Sequence, residues 1–406
     1  MKPSTRTSSP SVNLAFQFIL LMGIVSALGD ITYETGRSVS GPYLAFLGAS
    51  AVSIGIVSGL GEFLGYALRI VSGYLASRTR AYWFATFIGY GMILCIPLLA
   101  YAKHWEIAAL FLILERIGKA IRSPARDTML SHATYQVGRG WGFAIHEALD
   151  QVGAVLGPLI FAVVFAQRSS YSDGFTMLWI PAVLVLVALF GAHWLVPSPE
   201  ALENGPAVQE KTSPASQENK LSSTFWIYVL FTFLCVAGFA NFQIISYHFV
   251  AHKVFSVEQI PLLYAVAMAV DALAALAIGK AYDKIGLRSL AGVPLLTLAV
   301  PFLAFSIQQG IAIGSAVLWG IVMAVHETIM RAAIADLIPS ERRAFAYGIF
   351  NTIYGGAWFV SGAALGYLYD ISATLSITYV VAAEILALIA YFMLHQAMHK
   401  KTLPAS

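Results

Sequence analysis

Long apolar runs, separated by short polar segments, dominate the pattern along this chain. Each run is close to the roughly 20 residues that a helix needs to cross a bilayer. Twelve such segments are predicted, with approximate bounds 14–36, 44–73, 81–102, 105–125, 140–166, 174–196, 223–249, 259–280, 288–307, 312–336, 344–368 and 373–396. The pattern therefore predicts an all-α membrane protein with twelve transmembrane helices.

One polar segment divides the pattern into two equal parts. Residues 197–222 are rich in Pro, Glu, Ser and Gln and lack apolar periodicity, which is typical of a flexible linker. This segment separates six predicted helices in residues 1–196 from six in residues 223–406. We therefore expect an N-terminal and a C-terminal six-helix bundle.

Short motifs recur in the two parts at nearly the same spacing. Gly73–Arg78 ends the second apolar segment, and the similar Gly279–Lys284 ends the eighth. Arg139–Phe143 begins the fifth, and the similar Arg343–Tyr347 begins the eleventh. This repetition predicts two pseudo-symmetric bundles, which place a shared site between them near the middle of the membrane.

Composition agrees with a membrane protein and excludes several function classes. Hydrophobic residues make up 58% of the 406 residues and charged residues 11%, whereas soluble domains average about 25% charged. No G-x-x-x-x-G-K-[ST] motif for nucleotide binding is present, and no basic patch suits nucleic acid. Cys95 and Cys235 lie in apolar runs without a C-x-x-C pattern. We expect no enzymatic activity, no cofactor and no metal site.

The distribution of Lys and Arg predicts the topology. Most of the 24 Lys and Arg residues fall in segments that share one side when both termini are placed together. Cytoplasmic segments carry such an excess. We therefore expect the N-terminus, the C-terminus and the linker to lie in the cytoplasm, in a bacterial inner membrane.

Ionisable and polar residues inside the apolar segments are the candidate functional residues. A charge at the centre of a bilayer costs about 2.5–3.5 kcal/mol on insertion scales, so such residues face protein or water and mark a pathway. The candidates for a solute and proton pathway are Asp30, Glu34, Arg37, Glu62, Arg69, Glu115, Arg116, Lys119, His146, Glu147, Asp150, Asn241, Asp271, Glu327, Asn351 and Tyr354. The alternative is that individual members are solvated helix ends or packing contacts between helices.

Helical spacing predicts specific pairs among these residues. Glu34 can pair with Arg37, and Glu327 with Arg331, because each pair shares a helix face. Arg116 is expected to face the carboxylates of Glu147 and Asp150 on the following segment.

Two further interpretations concern the edges of the pathway. Arg122, Arg126 and Asp127 are interpreted as solvated at a helix end. The face that carries Asn351 and Tyr354 is interpreted either as a cavity wall or as aromatic packing.

Several motifs resemble those of the major facilitator superfamily. Gly279-Lys-Ala-Tyr-Asp283-Lys-Ile-Gly286-Leu-Arg288 resembles the signature loop G-x-x-x-D-[RK]-x-G-x-[RK] of that family. The first copy, near Gly73, departs from it because Ser77 stands at the aspartate position. Leu112-x-x-x-Arg116 resembles the arginine motif of the fourth span.

A second set of motifs resembles those of exporters in the same family. Gly153-Ala-Val-Leu-Gly157-Pro158 resembles the first half of the antiporter motif, without its closing glycine pair. The Glu115–Asp127 segment is similar to bacterial exporters, some of them named for metal or drug resistance.

The resemblance implies the major facilitator fold and transport by alternating access. Gly279, Asp283, Gly286, Arg288, Gly153, Gly157 and Pro158 are then the residues that control conformation. We expect a monomeric, proton-coupled secondary transporter that exports a small solute across the lipid bilayer. The alternatives are a proton-coupled importer of a small organic anion and a non-transporting membrane receptor of the same fold.

Overall fold

A computed structural model describes residues 12–202, 221–339 and 342–402 of the chain. Within these ranges the chain folds into helices, with no β-strand. Most of the predicted linker, residues 203–220, lies outside the described residues, and so does the polar N-terminus up to residue 11.

The helices follow the apolar segments of the sequence closely. The first part of the chain forms α1 (Val12–Phe46), α2 (Ala51–Thr79), α3 (Tyr82–Gly91), α4 (Cys95–Leu98), α5 (Trp105–Val137), α6 (Arg139–Arg168), α7 (Tyr171–Met177) and α8 (Trp179–Leu195). The second part forms α9 (Ser223–Ala237), α10 (Phe242–Ala251), α11 (Gln259–Ile285), α12 (Gly292–Ala304), α13 (Gln309–Glu327), α14 (Ile329–Leu337), α15 (Arg343–Ile371) and α16 (Ala373–Thr402). Short 3₁₀ turns follow α3, α4, α8 and α11.

Nine helical stretches in the described ranges are long and apolar enough to cross a membrane. One of them, Gln259–Ala304, contains both α11 and α12. Helices α5 and α15 are also long but do not meet the same apolar criterion. The exact count of twelve transmembrane helices therefore stays a prediction.

Glycines set the closest helix contacts in the first part of the chain. A β-carbon at Gly153 would collide with the carbonyl of Ala27, and one at Gly157 would collide with that of Ile31. Helices α1 and α6 therefore pack backbone against backbone. The Gly153–Pro158 motif, which the sequence assigned to conformational control, lies at this contact.

Helix α2 of the first part of the chain packs along α15 of the second part, and this contact joins the two parts. Gly55 of α2 meets the backbone of Gly362, and a β-carbon at Gly366 would collide with the carbonyl of Ala51. Asp370, near the end of α15, accepts hydrogen bonds from the backbone N–H groups of Ala51 and Val52, both at 3.2 Å. These bonds satisfy free donors at the first turn of α2.

The seventh apolar segment is broken, whereas the sequence predicted one continuous helix. Helix α9 ends at Ala237 and α10 begins at Phe242. Asn241 caps α10, because its side-chain oxygen accepts a hydrogen bond from the N–H of Ile244. Side chains from three other helices donate to the carbonyls of the break: Tyr379 to Ala237, Ser361 to Phe239 and Trp319 to Ala240.

Candidate functional site

A polar cavity of ≈ 280 Å³ lies between the two parts of the chain. Helices α1, α2, α3, α5 and α6 contribute one wall, and α11, α13 and α14 contribute the other. Ten of the predicted pathway residues line it: Asp30, Glu34, Arg37, Arg69, Lys119, His146, Glu147, Asp150, Asp271 and Glu327.

The cavity is closed at one end and open at the other. Glu34 and Arg37 at the closed end are buried. At the other end, the side chain of Asp127 is 52% exposed, and Phe143 and Glu147 are exposed as well. The open end of the cavity therefore lies beside Asp127, Phe143 and Glu147.

A network of ion pairs forms the closed end. Arg37 lies 3.7 Å from Glu34, which confirms the predicted pair, and its other terminal nitrogen lies 3.4 Å from Glu62. Arg116 approaches the same Glu62 oxygen to 2.6 Å. Glu62, Arg116 and Arg37 also line a smaller pocket of ≈ 40 Å³ beside the cavity.

The predicted pairing of Arg116 with Glu147 and Asp150 is wrong in this structure. Arg116 bonds Glu62 of α2 instead, and its guanidinium carbon lies 4.6 Å from the centre of the Tyr33 ring. Glu147 and Asp150 line the large cavity, whereas Arg116 does not.

Arg122 is a buried residue and not a solvated helix end. Its side chain is 3% exposed and lies 3.0 Å from Glu115 on the same helix. It also donates a hydrogen bond to the carbonyl of Gly89. The interpretation as solvated is therefore wrong for Arg122, whereas Asp127 is exposed and pairs with Arg126 at 2.9 Å.

Hydrogen bonds between side chains also join the two parts of the chain, in addition to those that Asp370 accepts from α2. The hydroxyl of Tyr264 donates to Glu34 at 2.5 Å. Arg331 donates to the hydroxyl of Tyr66 at 3.2 Å, and the side-chain amide of Asn241 donates to Ser58 at 3.0 Å. Asn241 thus acts in packing and capping, and it does not line the large cavity.

The predicted ion pair between Glu327 and Arg331 does not form within 4.0 Å in the described residues. The helix is interrupted at Thr328, between α13 and α14, where the φ and ψ angles are −99° and −75°. This interruption breaks the regular spacing on which the prediction depended, and Arg331 bonds Tyr66 instead.

His146 belongs to a hydrogen-bonded cluster on the N-terminal wall. Its Nε2 lies 2.8 Å from the hydroxyl of Ser26, which also accepts a hydrogen bond from Arg126 and lies 3.2 Å from the hydroxyl of Tyr90. No group of three or more His, Cys, Asp or Glu side chains in the described ranges is placed to hold a metal ion.

Five carboxylates that line the cavity have no ion pair within 4.0 Å among the residues that the structure describes. They are Asp30, Glu147, Asp150, Asp271 and Glu327. One oxygen of Asp150 and one of Asp271 are buried without any hydrogen-bond partner. Such groups are costly unless a proton, an ion or a solute compensates them.

Asn351 and Tyr354 do not line the cavity. Tyr354 is buried, and its ring packs edge-on against Tyr66 at 5.0 Å. Of the two interpretations of this face, the structure favours aromatic packing.

Few residues of the Gly279–Arg288 motif, at the end of α11, make contacts with other parts of the structure. Gly286 has a φ of +59°, a conformation that glycine adopts without strain, as its position in the motif predicted. Asp283 and Arg288 are exposed, and Gly279 has open space around its α-carbon. The contact in this region is made by Tyr282, whose hydroxyl donates to Asp336 at 2.5 Å.

Sequence reasoning missed several polar residues that shape the site. Tyr33, Tyr90 and Tyr264 carry no charge and lie in apolar segments, so the search for intramembrane charge passed over them. Glu384 was also missed, and it is fully buried in α16, with neither carboxylate oxygen hydrogen-bonded.

Relatives of the chain include proteins of matching length. It is 41% identical over 380 residues to the uncharacterized protein Rv2265 of Mycobacterium tuberculosis, an alignment that covers 93% of each chain. It is 27% identical over 393 residues to the uncharacterized MFS-type transporter MJ1317 of Methanocaldococcus jannaschii, covering 93% of this chain and 94% of that protein.

Solved structures share the fold at low sequence identity. A bacterial homolog to the human lysosomal transporter Spinster, in an inward-facing and unoccupied conformation, matches with a TM-score of 0.74 and 15% identity, over 98% of this chain and 100% of that one. The nucleoside transporter NupG matches with a TM-score of 0.72 and 16% identity, over 94% and 99%.

The family assignment follows from a match along the whole chain. The model of the Major Facilitator Superfamily matches residues 12–362 and 244–405. That match, the apolar helices and the transporter folds agree with the motifs identified in the sequence. The chain therefore belongs to the Major Facilitator Superfamily, and it is a multi-pass membrane protein of the secondary transporter class.

Proposed function

We propose that this transporter exchanges protons for a small polar solute and exports that solute across a bacterial inner membrane. The observation that carries the proposal is the cavity itself, which is open at one end and closed at the other, and of whose carboxylates five have no ion pair within 4.0 Å in the described part of the chain. Alternating access needs such a site between two parts of the chain that can move relative to each other.

The predicted topology gives the open end an orientation. Arg126, Asp127 and Phe143 lie towards the α5–α6 connection, which the Lys and Arg distribution assigns to the cytoplasm. The cavity then opens inward and is closed on the outer side by the bonds between Tyr264 and Glu34 and between Asp370 and α2. The same topology implies twelve spans, with six in residues 1–196 and six in residues 223–406.

Asp30 and Asp150 are the proposed proton carriers. Both line the cavity, and neither has an ion pair within 4.0 Å among the described residues. Burial in a low dielectric favours the protonated form of a carboxylate that lacks an ion pair, and a cation that approaches it favours the ionised form. Lys119 lines the same cavity and is the proposed charge partner of Asp30 when the proton has left.

The direction of transport is proposed from the partial antiporter motif. Gly153 and Gly157 hold α6 against α1, the helix that carries Asp30. A shift of α6 along this contact would change the distance between Asp150 and Asp30. Proton binding and helix movement are thereby linked, which suits an exchanger that uses inward proton flow to expel a solute.

The test is flux in proteoliposomes that contain the purified protein. A screen for ligands by thermal shift, across metals, drugs, sugars, amino acids and organic acids, supplies the solute. The proposal expects movement of that solute from the compartment at higher pH to the one at lower pH, with proton movement in the opposite direction. Counterflow without any response to a pH gradient would refute proton coupling, and ligand binding without counterflow would favour a receptor.

A further inference from the structure

Two arginines from the two parts of the chain meet at one tyrosine in the cavity. Arg331 of α14 donates to the hydroxyl of Tyr66, and the guanidinium carbon of Arg69 lies 4.8 Å from the centre of the Tyr66 ring. Both arginines line the cavity, and neither has a carboxylate within 4.0 Å in the described part of the chain. The guanidinium carbon of Arg331 lies 5.8 Å from the same ring centre, so two like charges meet at one side chain and repel each other.

This arrangement has unused binding capacity for an anion. Nε of Arg69 is buried and has no hydrogen-bond partner. Guanidinium groups offer several donors in a rigid plane, which suits the oxygens of a carboxylate or a phosphate. An anionic group beside Arg69 and Arg331 would relieve their repulsion and fill the empty donor positions.

Carboxylates of the opposite charge line the same cavity. Asp271 of α11 is 3% exposed, lines the cavity and has one oxygen without a partner. Glu327 lines the same cavity and, like Asp271, has no ion pair within 4.0 Å among the described residues. Arg37 lines this cavity as well, but it already pairs with Glu34 and Glu62. A cationic group of a solute would compensate Asp271 and Glu327.

A solute with a single charge would compensate only one of these two sets of residues. A purely anionic solute would leave the buried carboxylate of Asp271 uncompensated, and a purely cationic one would leave the buried Nε of Arg69 without an acceptor. An uncompensated buried charge opposes binding. A dipolar solute compensates both sets at once.

We propose that the cavity binds a small dipolar solute, whose anionic group contacts Arg69 and Arg331 and whose ammonium group contacts Asp271 and Glu327. This assignment rests on the proposed transport function, because it takes the cavity to be the solute site. Each charged group of the solute then contacts residues that line the space between the two parts of the chain.

The experiment uses two matched sets of probes in a thermal-shift assay and in equilibrium binding to the full-length protein. The carboxylate set is alanyl-alanine, its N-acetyl form, which keeps only the anion, and alanyl-alaninamide, which keeps only the cation. The phosphate set is phosphoethanolamine, methyl phosphate and ethanolamine. The two sets distinguish a carboxylate from a phosphate as the anionic group. The zwitterion of at least one set is expected to bind about tenfold or more tightly than its two single-charge forms.

Variants test which residues bind the anionic group of the solute and which bind its ammonium group. Arg69→Gln and Arg331→Gln should weaken zwitterion binding about tenfold but leave binding of the cation-only form unchanged. Asp271→Asn and Glu327→Gln should likewise weaken zwitterion binding, but they should leave binding of the anion-only form unchanged. Arg78→Gln is the matched arginine control, because Arg78 also bonds a tyrosine, Tyr74, but is exposed outside the cavity. Glu106→Gln is the matched control for an exposed carboxylate.

The outcomes separate this assignment from the proposed function. Equal or stronger binding of a single-charge form, or no zwitterion binding at all, would overturn the dipolar assignment. If a single-charge ligand then moves in response to a pH gradient, the transport proposal still stands. If a zwitterion binds with the expected selectivity but shows no flux or counterflow, the dipolar site stands and the transport proposal fails.

Discussion

Tyr264 donates a hydrogen bond of 2.5 Å to Glu34, and the two residues lie on helices from opposite parts of the chain. Glu34 also approaches Arg37, which continues to Glu62 and, through it, to Arg116. A single tyrosine on α11 is therefore attached to an ion-pair network that spans α1, α2 and α5. This network closes one end of the cavity.

The change Tyr264→Phe should make the closed end open more readily. It keeps the ring and removes a hydrogen bond to a charged group, which contributes about 1.5–3 kcal/mol. The measurement uses a protein without Cys95 and Cys235 that carries a cysteine at the buried Ser40. This cysteine should react with a thiol reagent about tenfold faster when Tyr264→Phe is present than when Tyr264 is kept. The same change at the exposed Tyr367 is the control, and equal rates for both variants would contradict a gating role for Tyr264.

The change Asp30→Asn should abolish flux driven by a pH gradient and leave solute exchange at equilibrium close to normal. It replaces a carboxylate that lines the cavity with an amide, which cannot take up a proton in its place. Both activities are measured in the same proteoliposomes. Glu147→Gln should have a smaller effect because Glu147 is exposed at the open end. Full gradient-driven flux in Asp30→Asn, with loss in Glu147→Gln, would assign the proton to Glu147 instead.

Two exposed serines test the topology. Ser77 lies near the end of α2, on the side that the charge distribution assigns to the cytoplasm, and Ser256 lies between α10 and α11, on the opposite side. In intact cells, an impermeant thiol reagent should label Ser256→Cys and spare Ser77→Cys. Permeabilised cells should show both labels. Labelling of Ser77→Cys in intact cells would invert the predicted orientation.

The change Gly153→Ala should lower the thermal stability of the protein in detergent. The added methyl group would collide with the backbone of Ala27, and overpacking of this kind costs about 1–3 kcal/mol. Gly191→Ala is a matched control in α8, where a β-carbon meets nothing within 4 Å. Equal melting temperatures for the two variants would show that α1 and α6 can separate without cost.

The change Asp283→Asn should slow transport strongly while leaving solute affinity and thermal stability near normal. Asp283 is exposed and makes no hydrogen bond or ion pair within the described residues, so little in this conformation depends on it. An effect on rate alone would mean that its partner is available only after the conformation changes. Lys280→Gln, on the same helix and also exposed, is the control. An unchanged transport rate in Asp283→Asn would exclude a role for this carboxylate.

Local spacing predicted some of the site and missed other parts of it. Glu34 and Arg37 pair as expected, because three residues on an unbroken helix fix their separation. The same rule failed for Glu327 and Arg331, since Thr328 interrupts that helix. The partner of Arg116 is Glu62, which lies on another helix and could not be identified from spacing along the chain.

The helices themselves were the most predictable feature, because an apolar run of fixed length is a direct consequence of the bilayer. The break before Phe242 was not predictable in the same way. It depends on Asn241 as a cap and on donors from α13, α15 and α16, and each of these residues alone is compatible with a continuous helix.

That break constrains how this sequence can diverge. The carbonyls of Ala237, Phe239 and Ala240 obtain their donors from Tyr379, Ser361 and Trp319, which are far apart in sequence. Loss of any one donor strands a buried carbonyl, at a cost of about 1–3 kcal/mol. Substitutions at positions 319, 361 and 379 are therefore not independent of one another. Homologous chains that keep the broken helix are expected to keep a hydrogen-bond donor at all three positions. Homologous chains in which this segment is a continuous helix do not need these donors and can lose all three.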